Sequence, residues 1–199
     1  MREFFGPALP GVERLAALLE AHASERGLMG PREVDRLWER HLVNCGALAP
    51  LLPDSGLVID VGSGAGLPGL VLALQRGDLD FELVDSMRRR TDWLNEVSAT
   101  LGLTNVTVTR ARAEELAGRE AAAVVSRAVA RLDRLAGWTA GLLAPGGVFL
   151  ALKGSGAGEE LAACGGSLTR LGLMGAEVME LAPVIGVEPT YVIKAVRAA

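Results

Sequence analysis

Aromatic residues are scarce in this chain: one tyrosine, three tryptophans and four phenylalanines among 199 residues. That argues against an extended aromatic stacking surface and for close packing of helices on a sheet. Cysteine is rarer still. Cys45 and Cys164 lie far apart and show no metal-ligand spacing. They read as free thiols of a reducing compartment, and no metal site is expected. No apolar run is long enough to span a bilayer, and Met1–Pro7 lacks the apolar core of a signal peptide. A cytoplasmic protein with no membrane partner is therefore expected.

Half of the residues are hydrophobic, 22% are charged and the net charge is −4. This composition supports a sizeable core, excludes disorder and suits one domain. The acidic balance argues against non-specific binding along nucleic acid. It still permits a local basic patch that binds one structured RNA.

Pro10–Arg26 repeats apolar residues at Val12, Leu15, Ala16 and Leu19, which predicts an amphipathic helix with Gly27 at C′. A second helix is expected from Pro31, with a stripe through Val34, Leu37, Trp38, His41, Leu42 and Cys45, ended by Pro50 and Pro53. Strands and helices then alternate. Strands are expected at Leu57–Val61, Phe81–Val84, Val106–Thr109, Ala122–Val125 and Val148–Leu152. Helices or helical turns are expected near Leu67–Arg76, Met87–Leu101 with Ser86 as N-cap, Ala113–Leu116, Leu132–Leu142 and Glu159–Leu171. Pro145-Gly146-Gly147 reads as a turn into the fifth strand, and Gly154–Gly158 as a mobile loop. The ending differs. Ala176–Leu181 and Tyr191–Val196 read as strands joined by a loop with Pro183, Gly186 and Pro189, hence as an antiparallel hairpin.

The densest signal is Leu57-Val58-Ile59-Asp60-Val61-Gly62-Ser63-Gly64-Ala65-Gly66-Leu67-Pro68-Gly69. A buried strand, a glycine loop and a helix N-terminus make a site for a nucleoside-containing cofactor. Gly64, Gly66 and Gly69 alone also fit a dinucleotide site. Asp60 shifts the balance, because a carboxylate there would repel a pyrophosphate and attract the sulfonium and ammonium of S-adenosylmethionine. Asp85, after the second strand, is spaced to reach a ribose hydroxyl pair. The whole pattern is that of an α/β, class I (Rossmann-like) methyltransferase. It has a mainly parallel seven-stranded sheet ending in an antiparallel hairpin, an N-terminal helical cap over 1–53 and a cofactor-binding core over 54–199. An NAD(P)-dependent oxidoreductase is the alternative. Asp60, the hairpin and the lack of a Tyr-x-x-x-Lys pair speak against it. A methyltransferase acting on a small molecule or protein, and a binding module without catalysis, are further alternatives.

Five strings carry a family resemblance: Leu37-Trp38-Glu39-Arg40-His41-Leu42-Val43-Asn44-Cys45, the Asp60–Gly69 string, Ala111-Arg112-Ala113-Glu114-Glu115, Val125-Ser126-Arg127-Ala128 and Leu150-Ala151-Leu152-Lys153-Gly154. Together they resemble the glucose-inhibited division protein B family, the guanine-N7 methyltransferases of 16S ribosomal RNA. The resemblance implies methylation of a guanosine in the 530 loop, with S-adenosylmethionine as cofactor and 16S rRNA or the small ribosomal subunit as partner. Carried over by motif, cofactor contacts fall on Gly62, Leu67, Ala113, Glu114 and Arg127. Ser63, Gly64, Gly66 and Asp85 join them from the reading of the loop. The chain departs from the family in Arg88-Arg89-Arg90, in Gly27-Leu28-Met29 and in a shorter N-terminal region.

Guanine N7 carries a lone pair and no proton, so transfer calls for in-line positioning and water exclusion rather than a base. No Pro-Cys dipeptide, Asn-Pro-Pro or Asp-Pro-Pro string is present to suggest pyrimidine C5 or exocyclic amine chemistry. Positioning candidates are Arg127, Lys153, Arg40 and His41. Phosphate contacts are expected from Arg88, Arg89, Arg90, Arg131 and Lys153, with Arg134 a further candidate. The alternative for Arg88–Arg90 is a solvated first helical turn, although three cations there oppose the helix dipole. His41 reads as structural or substrate-positioning, and Trp38 as core. Nothing in the polar patterning marks an interface, so a monomer is expected.

Overall fold

The computed structural model describes residues 1–199 apart from Ala128, Gly165 and Pro183. The end of the Ser-Arg-Ala string and the first proline of the hairpin loop thus lie outside the described residues. The chain opens with α1 (Arg2–Phe5), a 3-10 turn and α2 (Leu9–His22). The helix proper stops at His22. Looser turns continue to Gly27, which closes them at φ +59°.

The single helix expected from Pro31 is instead three pieces. They are α3 (Pro31–Val34), a π-helical run over Leu37–Leu42 and α4 (Val43–Gly46). The Val43 N–H bonds to the Trp38 carbonyl five residues back. Leu37, His41 and Leu42 are all buried, and their spacings of four and five suit the wider π turn better than a 3.6-residue turn.

From there the alternation runs β1 (Leu57–Val61), α5 (Gly69–Gln75), β2 (Asp80–Asp85), α6 (Arg88–Leu101), β3 (Val106–Arg110), a 3-10 turn over Ala113–Leu116, β4 (Ala121–Arg127), α7 (Leu132–Thr139), β5 (Leu143–Lys153), α8 (Ala157–Cys164), α9 (Ser167–Arg170), β6 (Leu173–Leu181) and β7 (Thr190–Arg197). Pro145-Gly146-Gly147 lies inside β5 rather than before it. A Cβ on Gly147 would stand 2.8 Å from the Ala121 carbonyl, where the β4–β5 register shifts, so glycine suits the irregularity. Ser86 does not cap α6; the Asp85 carboxylate takes the Met87 N–H at 2.9 Å instead. The expected mobile loop is short, since α8 already starts at Ala157.

The sheet order is β3-β2-β1-β4-β5-β7-β6. β1 to β5 pair in parallel, and β7 runs antiparallel between β5 and β6. The sheet is covered on both faces, which is why β1 and β4 read as continuous apolar runs. Val58, Phe81, Leu83 and Val125 face a layer built from α2, the π run, α5 and α6. Ile59, Val61, Val124 and Phe149 face α7, α8 and α9. Segment 1–53 shares the first of these cores rather than forming its own. Strand order reverses between β1, which has β2 on one side, and β4 on the other. In open α/β sheets such a switch point opens a crevice at the strand C-termini.

Candidate functional site

β1 ends in Val61, and the chain turns through Gly62 and Gly64 at φ +72° and +55°. These left-handed values suit residues without a Cβ. The turn is pinned at several points. Gly62 and Ser63 N–H groups bond to the Val84 carbonyl, at 2.8 and 3.0 Å, and Gly64 N–H bonds to Asp85 Oδ2 at 3.1 Å. Trp93 of α6, fully buried, donates its indole N–H to the Ala65 carbonyl at 3.1 Å. Nothing in the spacing announced Trp93, because its partner is reached across the fold.

Asp60 is completely buried. Its Oδ2 accepts the Gly69 N–H at 2.9 Å, and burial pushes its carboxyl up to about 7. With no exposed surface it cannot touch the cofactor's cationic groups, which corrects the expected contact: Asp60 staples the start of α5 to β1. Gly66, expected among the cofactor contacts, also has a packing role. A Cβ there would collide with Leu70 and approach Leu94. Ser63 donates its hydroxyl back to the Asp60 carbonyl at 2.9 Å.

Two adjoining clefts meet over Gly62. One, of about 420 Å³, is lined by Leu28, Met29, Glu33, His41, the turn from Gly62 to Ala65, Leu67, Arg90, Arg127 and Val129. The other, of about 290 Å³, is lined by Asp85, Arg90, Ala111–Glu114, Val129 and Trp138, among others. Both are of the size that holds a small ligand or a part of one. They suit an adenosine joined to an amino acid. Asp85 has one carboxylate lone pair beyond its bonds to Gly64, Met87 and Arg90, enough to accept from a ribose hydroxyl. Ala113 and Glu114 line the same cleft as Asp85. The glycine turn leaves room for the amino-acid chain. Val129 sits between the two, its methyl 2.5 Å from where a Gly62 Cβ would stand.

A third cleft, of about 750 Å³, opens beyond them. Its walls include Arg36, Glu39, Arg40, Asn44, Lys153, Glu188 and Tyr191. Glu33, His41 and Arg127 line both this cleft and the smaller one at the glycine turn. These three form a chain. His41 bonds through Nε2 to Glu33 Oε2 at 2.8 Å, and Arg127 Nη2 bonds to His41 Nδ1. Burial, then the Arg127 charge, lowers the imidazole to about 4, so it is neutral. A guanidinium can only donate, which makes Nδ1 the acceptor and Nε2 the protonated donor. Glu33 had no sequence signal, because the break after α3 and the π turn bring it to His41.

The expected phosphate ligands divide. Arg88 is exposed and pairs with Asp92 at 3.6 Å, and Arg89 reaches the Gly27 carbonyl at 3.5 Å. Arg90 turns inward to Asp85 at 3.2 Å and lines both clefts that meet over Gly62. These acids and the Gly27 carbonyl offset the cost of three cations at a helix N-terminus. Lys153, also expected on RNA, is half-buried at the wall of the larger cleft, with its ammonium bonded to Glu160 Oε1 at 2.9 Å and to the Ala130 carbonyl at 3.0 Å. Arg131 is exposed, with Asp133 at 3.6 Å, and Arg134 lies over the Trp138 ring. Among the described residues no cluster of His, Cys, Asp and Glu is arranged to hold a metal ion, and no helix is long and apolar enough to cross a membrane.

Strand order, glycine turn and strand-end acid define a class I, S-adenosylmethionine-dependent methyltransferase. Solved structures agree on the fold. A SAM-dependent methyltransferase from Aquifex aeolicus superposes with TM-score 0.62 at 17% identity, covering 81% of this chain and 92% of that one. An M. jannaschii protein solved in complex with AdoMet gives TM-score 0.61 at 17% identity, covering 78% and 74%. Sequence narrows the class. Residues 9–182 match the GidB family, described as rRNA small subunit methyltransferase G. A curated protein of that name from Nocardioides sp. is 50% identical over 99% of this chain and 79% of its own length. Another, from Acidothermus cellulolyticus, is 53% identical over 94% and 84%. The chain belongs to the rRNA small subunit methyltransferase G family.

Proposed function

We propose that this protein methylates N7 of a guanosine in the 530 loop of 16S rRNA, acting in the cytoplasm as a monomer on the rRNA or on the small ribosomal subunit. The observation that carries this reading is the wall of Glu33, His41 and Arg127, which divides a cofactor-sized cleft from a larger cleft. A base extruded from a loop enters the larger cleft and meets the cofactor at that wall. Bound S-adenosylmethionine supplies an electrophilic sulfonium methyl group.

The protein's own contribution is positional. Asp85, Ala113, Glu114 and the Gly62–Ala65 turn hold the cofactor from one side, and Arg127 borders it from the other. His41 is neutral, but its Nδ1 lone pair is taken by Arg127 and its Nε2–H by Glu33. It has no free lone pair with which to remove a proton. That suits a nucleophile that carries none, and it does not suit an amine or a hydroxyl. Arg40, Arg88, Arg89, Arg131 and Arg134 are exposed cations that can meet phosphates.

The test is incubation with labelled S-adenosylmethionine and either free 16S rRNA or assembled small subunits, followed by mapping of the modified base. The expected product is 7-methylguanosine in the 530 loop. Label on another base, or on protein alone, overturns the reading.

A further inference from the structure

We propose that Arg127, held in place by His41 and Glu33, selects guanine by donating an N–H to O6 of the target base. The inference rests on the N7 reading above. N7 and O6 lie on the same edge of guanine. A base that offers N7 through the shared wall therefore brings O6 to that wall as well. Adenine has the same N7 but carries an amino group at the neighbouring position. A site that must leave N7 free for the methyl group can tell the two purines apart there.

Arg127 has the chemistry for this. A guanidinium carries five N–H groups and no acceptor, so it welcomes O6 and leaves an amine unpaired. One Nη2–H is taken by His41, and Nη1 faces Cys45 Sγ at 3.6 Å. Further N–H groups remain, and the side chain borders the larger cleft. Position matters as much as charge. Arg127 ends β4, and without its acceptor the guanidinium would be free to swing. His41 supplies that acceptor, and Glu33 fixes the imidazole by holding Nε2. His41 and Glu33 are thus positioning residues that act through Arg127.

The experiment compares three substrate RNAs that differ only at the target nucleotide: guanosine, inosine or 2-aminopurine. All three keep N7, and 2-aminopurine alone lacks O6. The full chain should methylate inosine within about threefold of guanosine, and 2-aminopurine about 10²-fold less efficiently in kcat/KM, the scale of one hydrogen bond to a charged donor. In His41→Leu the guanosine rate should drop toward the 2-aminopurine rate, while the 2-aminopurine rate barely moves. His41→Asn, whose carbonyl replaces Nδ1 as acceptor, should keep most of the selectivity. Glu33→Ala, at a half-exposed position, tests the same relay if His41→Leu fails to fold. Two results overturn the inference: equal use of 2-aminopurine and guanosine by the native chain, or an equal loss on both substrates in the relay variants. If the mapped product is not 7-methylguanosine, the reading beneath it falls as well. If 7-methylguanosine forms without O6 selectivity, only this inference falls.

Discussion

Lys153 Nζ and Glu160 Oε1 meet at 2.9 Å, and the same carboxylate oxygen accepts the Leu132 N–H at 2.7 Å. With the bond from Lys153 to the Ala130 carbonyl, this joins the end of β5, the start of α8 and the segment that leads from β4 into α7. Val129, which overhangs Gly62, belongs to that segment.

The first prediction follows from this joint. Lys153→Ala should lower the melting temperature, with a cost of about 1–3 kcal/mol for leaving the Glu160 carboxylate without its cation. It should also weaken S-adenosylmethionine binding, read by calorimetry. The salt dependence of RNA binding should not change. A slope shallower by about one unit would restore Lys153 to the phosphate contacts.

The arginine run should split in the same pair of assays. Arg90→Ala removes the cation beside Asp85 and should weaken cofactor binding by about tenfold, on the scale of one charge-assisted hydrogen bond. Replacing Arg88 and Arg89 together should leave cofactor affinity within about twofold and make the RNA salt slope shallower. A loss of cofactor affinity in the Arg88/Arg89 pair alone would contradict the placement of Arg90.

Two buried groups pull stability in opposite directions with pH. His41 titrates near 4 in the folded protein against an ordinary value of 6.5, so the unfolded chain takes up the proton first. Its contribution is complete above about pH 7 and is lost as the pH falls toward 4. Asp60 titrates near 7 against 3.8, so the unfolded chain releases its proton first. Its contribution is complete below about pH 4 and is lost as the pH rises toward 7. Each slope approaches about 1.4 kcal/mol per pH unit where it is steepest. The two nearly cancel in the native chain between about pH 4.5 and 6.5. His41→Asn should expose the Asp60 slope, its melting temperature falling with pH relative to the native chain. Asp60→Asn should do the reverse. Parallel curves for all three proteins would refute both assignments. The methylation rate at saturating substrate should stay flat from pH 6 to 8.5, since neither group acts as a base.

Gly62→Ala should impair cofactor binding for two separable reasons. The left-handed φ costs about 1 kcal/mol for a residue with a Cβ, and the Cβ would meet Val129 at 2.5 Å. Adding Val129→Ala should recover part of the affinity, never all of it. Full recovery would mean that backbone conformation is not what glycine provides here.

Much of the fold was legible because its signals are local. Leu57–Val61 is a strand between turn formers, buried over nearly its whole length, and the observed bounds of β1 are the expected ones. The terminal hairpin followed from two apolar runs with no helical pattern between them. What escaped depends on distant partners. The stripe through Leu37, His41 and Leu42 is compatible with an α-helix until Glu33 and Arg127 are seen to hold His41 from both sides. Lys153 sits at a strand end where ligands collect, yet Glu160 claims it. Asp60 had the right spacing for a cofactor contact, but its side chain lies under the loop and not over it.

The order of strands also governs when the site can form. β6 precedes β7 in the chain, yet it joins the sheet solely through β7, which lies between it and β5. As the polypeptide is synthesised, β6 has no hydrogen-bonding partner until β7 has been made and docked. The connection between them supplies Gly186, Glu188 and Pro189 to the larger cleft. The turn after β1 and the groups that pin it, in β2 and α6, all precede β6 in the chain. The larger cleft, by contrast, is completed only by late-made residues.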